Sequence, residues 1–111
     1  MHMQMITWRL KDLSAEDYAK LCDELAPAFA AVPGLVSKVW FADAAENRYG
    51  GVYTWESRDA CELFMQSELY KILDKHPHLK DVQSRTYDVL DNPTRITRGV
   101  GVPEPVAVAA F

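Results

Sequence analysis

The sequence is poor in cysteine, in basic residues and in long apolar runs. Only two cysteines occur, Cys22 and Cys61, so we expect free thiols in a reducing cytoplasm and no disulfide framework. The 12 basic residues are outnumbered by 16 acidic ones, and the net charge of −4 disfavours a nucleic-acid partner, which needs a basic stripe to replace phosphate counterions. No apolar run approaches the roughly 20 residues that span a bilayer, so we expect no membrane partner.

Motifs that hold common cofactors and metals are also missing. We find no dinucleotide glycine fingerprint, P-loop, paired-cysteine metal spacing or nucleophile elbow. His76 and His78 flank a proline, and no acidic residue or cysteine completes a ligand set, so we expect both to be exposed and no metal to bind. The N-terminal residues show no signal-peptide pattern. The sequence therefore predicts no cofactor, which suits a cofactor-free enzyme and a binding protein equally well.

The periodicity of the apolar residues predicts one α+β domain in the 111 residues. Alternating patterns predict strands over residues 3–10, 35–42, 51–56 and 82–90. Helical patterns predict a first helix capped by Ser14 and running to about Val32, with a kink or break near Glu24 because Pro27 lies inside it. A second helix is predicted from Arg58, with a short restart at Ser67. The order β-α-β-β-α-β is the ferredoxin-like arrangement, with a four-stranded antiparallel sheet.

Both faces of the predicted strands carry large side chains. Trp40 and Phe41 lie on opposite faces of the second strand, and two helices cover only one face of such a sheet. The other face would be an exposed apolar patch unless a partner covers it, and a second copy is the simplest partner. We therefore expect a homodimer of the domain formed by residues 1–98. Residues 99–111 form an apolar C-terminal tail that we expect to pack on a partner surface.

Lys38 and Trp40 are the most informative pair of polar and aromatic residues. They are two residues apart on one strand and so share a face. A buried lysine is costly unless it is paired, hydrogen-bonded or beside a wet cavity. One interpretation is that Lys38 spans the dimer interface while Trp40 is core. The other places both in a pocket, where Lys38 would stabilise an enolate or phenolate and the indole N–H of Trp40 would donate to a substrate oxygen.

Further candidates lie on the loop before the third strand and on the third and fourth strands. Asn47 could orient a carbonyl or bound oxygen, or could simply close a turn. Tyr53 and Trp55 share a strand face and are either packing or the wall of a flat pocket for an aromatic substrate. Arg85 and Tyr87 are a comparable pair on the last strand, where Arg85 could also pair with a carboxylate across the interface. No histidine is expected on a pocket-facing strand, so a base is missing.

Four segments together resemble the YdhR-type mono-oxygenase family of the dimeric α+β-barrel superfamily. They are Pro33-Gly34, Lys38-Val39-Trp40, Gly50-Gly51-Val52-Tyr53 and the closing Tyr87-Asp88-Val89. The resemblance covers residues 3–97, most clearly 33–90, and the tail after Gly99 has no counterpart in it. It implies the ferredoxin-like fold, a dimer and a small-molecule pocket. It does not select a reaction, because the superfamily also includes haem-degrading enzymes, isomerases, cyclases and stress-response proteins.

The favoured hypothesis is a cofactor-independent mono-oxygenase that acts on a small aromatic or polyketide-like phenol. The residues expected to carry the chemistry are Lys38, Trp40, Asn47 and Tyr53, with Trp55, Arg85 and Tyr87 contacting the substrate. The rival hypothesis is a non-catalytic dimer that binds a hydrophobic small molecule, as in a stress response. Isomerase or cyclase chemistry on the same polar residues is a third possibility.

Overall fold

The computed structural model describes residues 1–99, which form one antiparallel sheet with helices packed on one face. The strands are β1 (His2–Leu10), β2 (Leu35–Asp43), β3 (Arg48–Trp55) and β4 (Leu79–Asp88). The helices are α1 (Ala15–Ala30), α2 (Arg58–Met65), α3 (Glu68–Asp74) and α4 (Asp91–Ile96). The spatial order β2-β3-β1-β4 puts β1 and β3 in the middle of the sheet. The predicted ferredoxin-like arrangement is confirmed.

Serine side chains begin the first three helices. Ser14, Ser57 and Ser67 each accept a hydrogen bond from the backbone N–H three residues later, at 3.1, 3.1 and 3.2 Å. The predicted break near Glu24 is wrong, because α1 is continuous and contains Pro27. Pro27 and Asp23 are both exposed, so water can solvate the Asp23 carbonyl, which lacks a helical N–H donor.

Several element boundaries differ from the prediction. β3 begins at Arg48 and not at residue 51, because the Gly50-Gly51 pair lies inside the strand. A Cβ on Gly50 would collide with the carbonyl oxygen of Ile6 on the neighbouring strand, so the glycine permits close strand packing. β4 begins at Leu79, and the short helix α4 follows it where no regular element was predicted.

The hydrophobic core lies between the helices and the inner face of the sheet. Its fully buried large side chains are Ile6, Trp8, Phe29, Tyr53, Trp55 and Phe64. On the outer face of the sheet, Val39 and Tyr87 are 58% and 48% exposed, and Pro93 and Thr94 of α4 border a groove on that face. The sheet is therefore two-sided, with one face packed and one open.

The first strand contains a buried histidine. His2 lies in β1 on the same face as Gln4 and is only 2% exposed. Its Nδ1 is 3.1 Å from a carboxylate oxygen of Asp88 on β4. His2 lines neither of the two cavities described below, so the expectation that no histidine lies on a pocket-facing strand stays a prediction.

Two other expectations concern the chain ends and membranes. The predicted packing of the tail, from residue 100 onward, lies outside the described residues. Within residues 1–99, no helix is long and apolar enough to cross a membrane.

Candidate active site

The amine of Lys38 is enclosed by aromatic rings on the inner face of the sheet. Its Nζ atom lies 3.3 Å from the ring centroid of Trp40, 3.5 Å from that of Phe29 and 4.7 Å from that of Tyr53. Nζ exposes less than 1 Å² of surface and has no hydrogen-bond partner among residues 1–99. Buried ammonium groups are ordinarily paired, so this arrangement is costly for the charged form and points to a functional group.

Gly51 provides the space that the lysine side chain occupies. β2 and β3 pair so that Trp40 lies opposite Gly51 and Lys38 opposite Tyr53. A Cβ on Gly51 would lie 2.7 Å from Cε of Lys38. The missing side chain therefore lets the lysine stem fold across β3 and places its amine between the rings.

Two opposing effects act on the protonation of Lys38. Burial lowers the pKa of its amine to about 7, and the nearby thiol of Cys22 acts weakly in the opposite direction. The aromatic faces around Nζ also favour the ammonium form. Because desolvation is the larger effect, the amine can both release and accept a proton near neutral pH.

A second buried polar group lies next to the amine. The hydroxyl of Tyr53 is buried and has no hydrogen-bond partner among residues 1–99. Burial raises the pKa of this phenol, so it stays protonated at neutral pH. Tyr53 is therefore a neutral donor without a fixed acceptor.

Tyr18 and Cys22 form a linked pair on the face of α1 that meets the sheet. The indole N–H of Trp8 donates to the Tyr18 hydroxyl at 3.1 Å, and interaction with Cys22 adds to the raised pKa of that hydroxyl. Burial raises the pKa of both groups, although Tyr18 and Lys38 partly offset this at Cys22. Both groups are thus protonated near neutral pH.

A cavity of about 390 Å³ lies between α1 and the edge strand β2. Tyr18 and Cys22 line it from the helix, and Trp40 and Tyr49 line it from the sheet. A neighbouring cavity of about 260 Å³ is lined by Lys38, Phe29 and again Trp40. Trp40 is half-buried and lies between the two spaces. Sites for small ligands typically measure about 300–1,000 Å³, so the larger cavity suits a ligand of one or two rings.

Three of the sequence-predicted site residues therefore lie together: Lys38, Trp40 and Tyr53. Trp55 lies behind them, with its ring parallel to that of Tyr53 at 5.9 Å between centroids. Its indole N–H donates to the side-chain oxygen of buried Gln4 at 3.0 Å, and the residue is fully buried. Trp55 thus supports the wall of the site and does not face either cavity.

Asn47 is used by the backbone of the first strand. Its side-chain oxygen accepts from the N–H of Leu10 at 3.0 Å, and its Nδ2 donates to the carbonyl of Leu10 at 3.1 Å. Its φ of 49° is a left-handed turn conformation that asparagine tolerates well. These bonds tie the β2–β3 turn to β1, and Asn47 does not line the cavity between α1 and β2.

Arg85 and Tyr87 lie on the outer face of the sheet. They pair across β1–β4 with Met5 and Met3, whose side chains point away from the helices. Both are exposed, and Tyr87 lines a shallow groove of about 590 Å³ on that face. The structure therefore separates this pair from Lys38 by the thickness of the sheet.

Sequence reasoning missed the contribution of α1 to the site. Cys22 was expected only as a free thiol, and neither Tyr18 nor Phe29 was among the predicted site residues. The available signal was the i, i+4 spacing of a phenol and a thiol on one helix face. Among residues 1–99, no group of three or more potential metal ligands is clustered.

A family model that matches most of the chain shows which protein family it belongs to. The model of the family described as "Putative mono-oxygenase ydhR" matches residues 4–100. The chain belongs to the YdhR family. The comparison with curated proteins gave no match.

Solved structures similar to this YdhR-family chain share its fold at low sequence identity. A protein described as a putative antibiotic biosynthesis monooxygenase from Deinococcus radiodurans is 18% identical, with coverage of 80% of this chain and 92% of that chain and a TM-score of 0.63. SnoaB, a cofactor-independent oxygenase from Streptomyces nogalater, is 13% identical, with coverages of 80% and 92% and a TM-score of 0.64. The heme-degrader MhuD from Mycobacterium tuberculosis, solved with two hemes in its active site, is 17% identical, with coverages of 81% and 96% and a TM-score of 0.65.

Proposed function

We propose that this YdhR-family protein is a cofactor-independent mono-oxygenase that converts a small aromatic or polyketide-like phenol to a quinone, and that it acts as a homodimer. The observation that carries the proposal is the buried, unpartnered amine of Lys38 beside an aromatic-walled cavity. Family membership and the shared fold with a cofactor-independent oxygenase support the reaction class.

The reaction needs a base, and Lys38 supplies it in the proposal. With a pKa of about 7, its neutral amine accepts the phenol proton, and the resulting ammonium stabilises the phenolate. Lys38 thus takes the role for which the sequence offered no histidine.

The chemistry is balanced without a cofactor. The phenolate transfers one electron to O₂, and the phenoxyl radical and superoxide combine to form a carbon–oxygen bond para to the original oxygen. Protonation gives a hydroperoxide. Loss of the ring proton and cleavage of the O–O bond then yield a quinone and water, so one phenol and one O₂ give one quinone and one H₂O. Trp40, which lines both cavities, would hold the ring through stacking.

An oxygen-electrode assay with a panel of mono- and bicyclic phenols tests the proposal. We expect oxygen uptake matched by quinone absorbance in a one-to-one ratio. Lys38→Met should lower the rate by about 100-fold, in the range for loss of a general base. Lys20→Met, at an exposed lysine of α1, is the matched control and should retain the full rate.

A non-catalytic binding protein is the second candidate, and the apolar cavity beside α1 supports it. Nine of the eleven residues that line this cavity are alanine or aromatic, and Asp23 is the charged residue among them. In that case a phenol would bind with micromolar affinity while oxygen uptake stays at background. This outcome would reject the oxygenase and retain the site.

A further inference from the structure

We propose that Lys38 is also a nucleophile that forms a reversible Schiff base with small aromatic aldehydes or ketones entering the cavity beside α1. The reaction requires an amine with a free lone pair, an apolar environment and a nearby proton donor. It needs no oxygen. The inference therefore goes beyond the oxygenase reaction and can fail or succeed independently of it.

The first requirement is met by the isolation of the amine. No carboxylate within residues 1–99 forms an ion pair with Lys38, and the group that acts on it electrostatically is the Cys22 thiol. An ammonium group that is paired with a carboxylate keeps its proton. The aromatic rings around Lys38 stabilise the ammonium form less than water would. A substantial part of the population therefore carries the neutral amine near pH 7.

The contrast with the other lysines makes this amine distinctive. All five others are exposed to water: Lys11, Lys20, Lys71, Lys75 and Lys80. Two of them form ion pairs, Lys20 with Glu16 at 3.8 Å and Lys71 with Glu68 at 3.2 Å. Exposed lysines are almost fully protonated at neutral pH and react slowly with carbonyls. Selective reaction at Lys38 is therefore expected.

Access to the amine is controlled by Trp40. The indole ring lies 3.3 Å from Nζ and lines both neighbouring cavities. Nζ itself has almost no exposed surface, so a carbonyl carbon reaches it only when this ring turns aside. Trp40 is half-buried at the edge strand, where rotation displaces fewer neighbours than it would for a fully buried ring.

The proton transfers can be assigned to residues on the cavity wall. The amine nitrogen attacks the carbonyl carbon, a C–N bond forms, and the carbonyl oxygen becomes the hydroxyl of a carbinolamine. The hydroxyl takes a proton from the Cys22 thiol and leaves as water, while the nitrogen proton passes to the thiolate. The product is a C=N bond, with no net oxidation. Tyr18 and Cys22 line the same cavity from α1.

Reductive trapping tests the proposal directly. The protein is incubated without oxygen at neutral pH with benzaldehyde or 1-naphthaldehyde and sodium cyanoborohydride, and the modified lysine is located by peptide mass spectrometry. We expect Lys38 to be labelled at least about tenfold faster than any of the five exposed lysines, because they are mostly protonated. Cys22→Ser should slow this labelling while leaving the labelling of Lys71 unchanged.

Two results would overturn the inference. The first is labelling of surface lysines in the wild-type protein while Lys38 stays unmodified. The second is unmodified Lys38 in Trp40→Ala as well, since that variant removes the ring that covers the amine. Locating the labelled lysines in the wild-type protein tests the proposal even if no variant folds. The trapping is done without oxygen and is independent of the oxygen-electrode assay. Oxygen uptake without trapping at Lys38 would reject only the Schiff base, and trapping without oxygen uptake would reject only the oxygenase.

Discussion

The Lys38 amine and the Trp40 ring are two residues apart on β2 and lie 3.3 Å from each other, measured from Nζ to the ring centroid. The contact is a cation–π interaction when the amine is charged and a simple packing contact when it is neutral. Because burial lowers the pKa of Lys38 to about 7, both forms are populated near neutral pH. The same pair therefore changes its interaction with pH, and this has a measurable effect on stability.

Lys38→Met should raise the free energy of unfolding below neutral pH, and its advantage over the wild-type protein should shrink as the pH rises. The folded-state pKa of about 7 lies below the ordinary value of 10.5, so the folded protein resists protonation at this site. The resulting cost is fully present below the folded pKa and disappears as pH rises to the unfolded pKa. Between about pH 6 and 9, wild-type stability should rise by about 2–3 kcal/mol more than that of the variant.

Urea unfolding of both proteins across this pH range measures the difference. The groups facing Lys38 are Cys22 from α1 and Tyr53 from β3, and burial raises the pKa of each, so both stay protonated near neutral pH. Lys71→Met serves as the control because Lys71 is exposed in an i, i+3 pair with Glu68. If the free energy of unfolding changed with pH in the same way in the wild-type protein and in Lys38→Met, the pKa of Lys38 would not be lowered in the folded protein.

Trp40→Phe should impair ligand binding more than folding. The change keeps an aromatic ring but removes the indole N–H, and a lost hydrogen bond to a ligand costs about 0.5–1.5 kcal/mol. Trp55→Phe is the matched comparison. It leaves the buried Gln4 oxygen without the 3.0 Å bond from Trp55, so we expect a loss of about 1–3 kcal/mol in stability with little change in ligand affinity. Thermal unfolding and calorimetric titration separate the effects, and equal behaviour of the two variants would argue against a site at Trp40.

Gly51→Ala and Gly50→Ala should have different consequences although the glycines are adjacent. A methyl group at Gly50 meets the rigid backbone carbonyl of Ile6, so we expect a loss of several kcal/mol in stability. A methyl at Gly51 meets the flexible Lys38 side chain, 2.7 Å from its Cε, which can move. Gly51→Ala should therefore fold but displace the amine and raise its pKa, measurable by NMR of labelled lysine. An unchanged lysine resonance would show that Gly51 does not define its position.

The fold was predictable from the sequence because its signals are local and mutually consistent. Alternating strands, serine caps and the Pro33-Gly34 stop fix the element order. The boundary of β3 was missed because Gly50 and Gly51 have the composition of a turn, and only the approach of β1 explains them as strand residues. Helix α4 has only 6 residues, which are too few to show a helical period in the sequence. The pairing of His2 with Asp88 joins residues 86 positions apart and has no local signature.

The candidate site was predictable only in the part carried by one strand pair. Side chains alternate between the two faces of a strand, so Lys38 and Trp40 share a face. The pairing of β2 with β3 in a hairpin brings Tyr53 beside them. Arg85 and Tyr87 show the limit of this reasoning, since which face of a strand meets the helices depends on register and not on residue type. The role of Asn47 depends on contact with Leu10 on a strand distant in sequence. Cys22 approaches Lys38 only through the packing of α1 on the sheet.

The open outer face of the sheet leads to the final prediction, a two-fold homodimer in which two outer faces pack together. Val39 is 58% exposed on the outer face of the edge strand β2 and pairs across β2–β3 with Val52. An uncovered apolar sheet face marks an interaction surface, and a two-fold contact would place Val39 of both copies in one interface. Val39→Asp should therefore bury two unpaired charges and weaken dimerisation by at least about 100-fold. Leu63→Asp is the control, since Leu63 is 69% exposed on α2, on the other side of the sheet, and should leave the dimer intact. Sedimentation at micromolar concentration measures both, and a wild-type monomer, or equal behaviour of the two variants, would reject this interface.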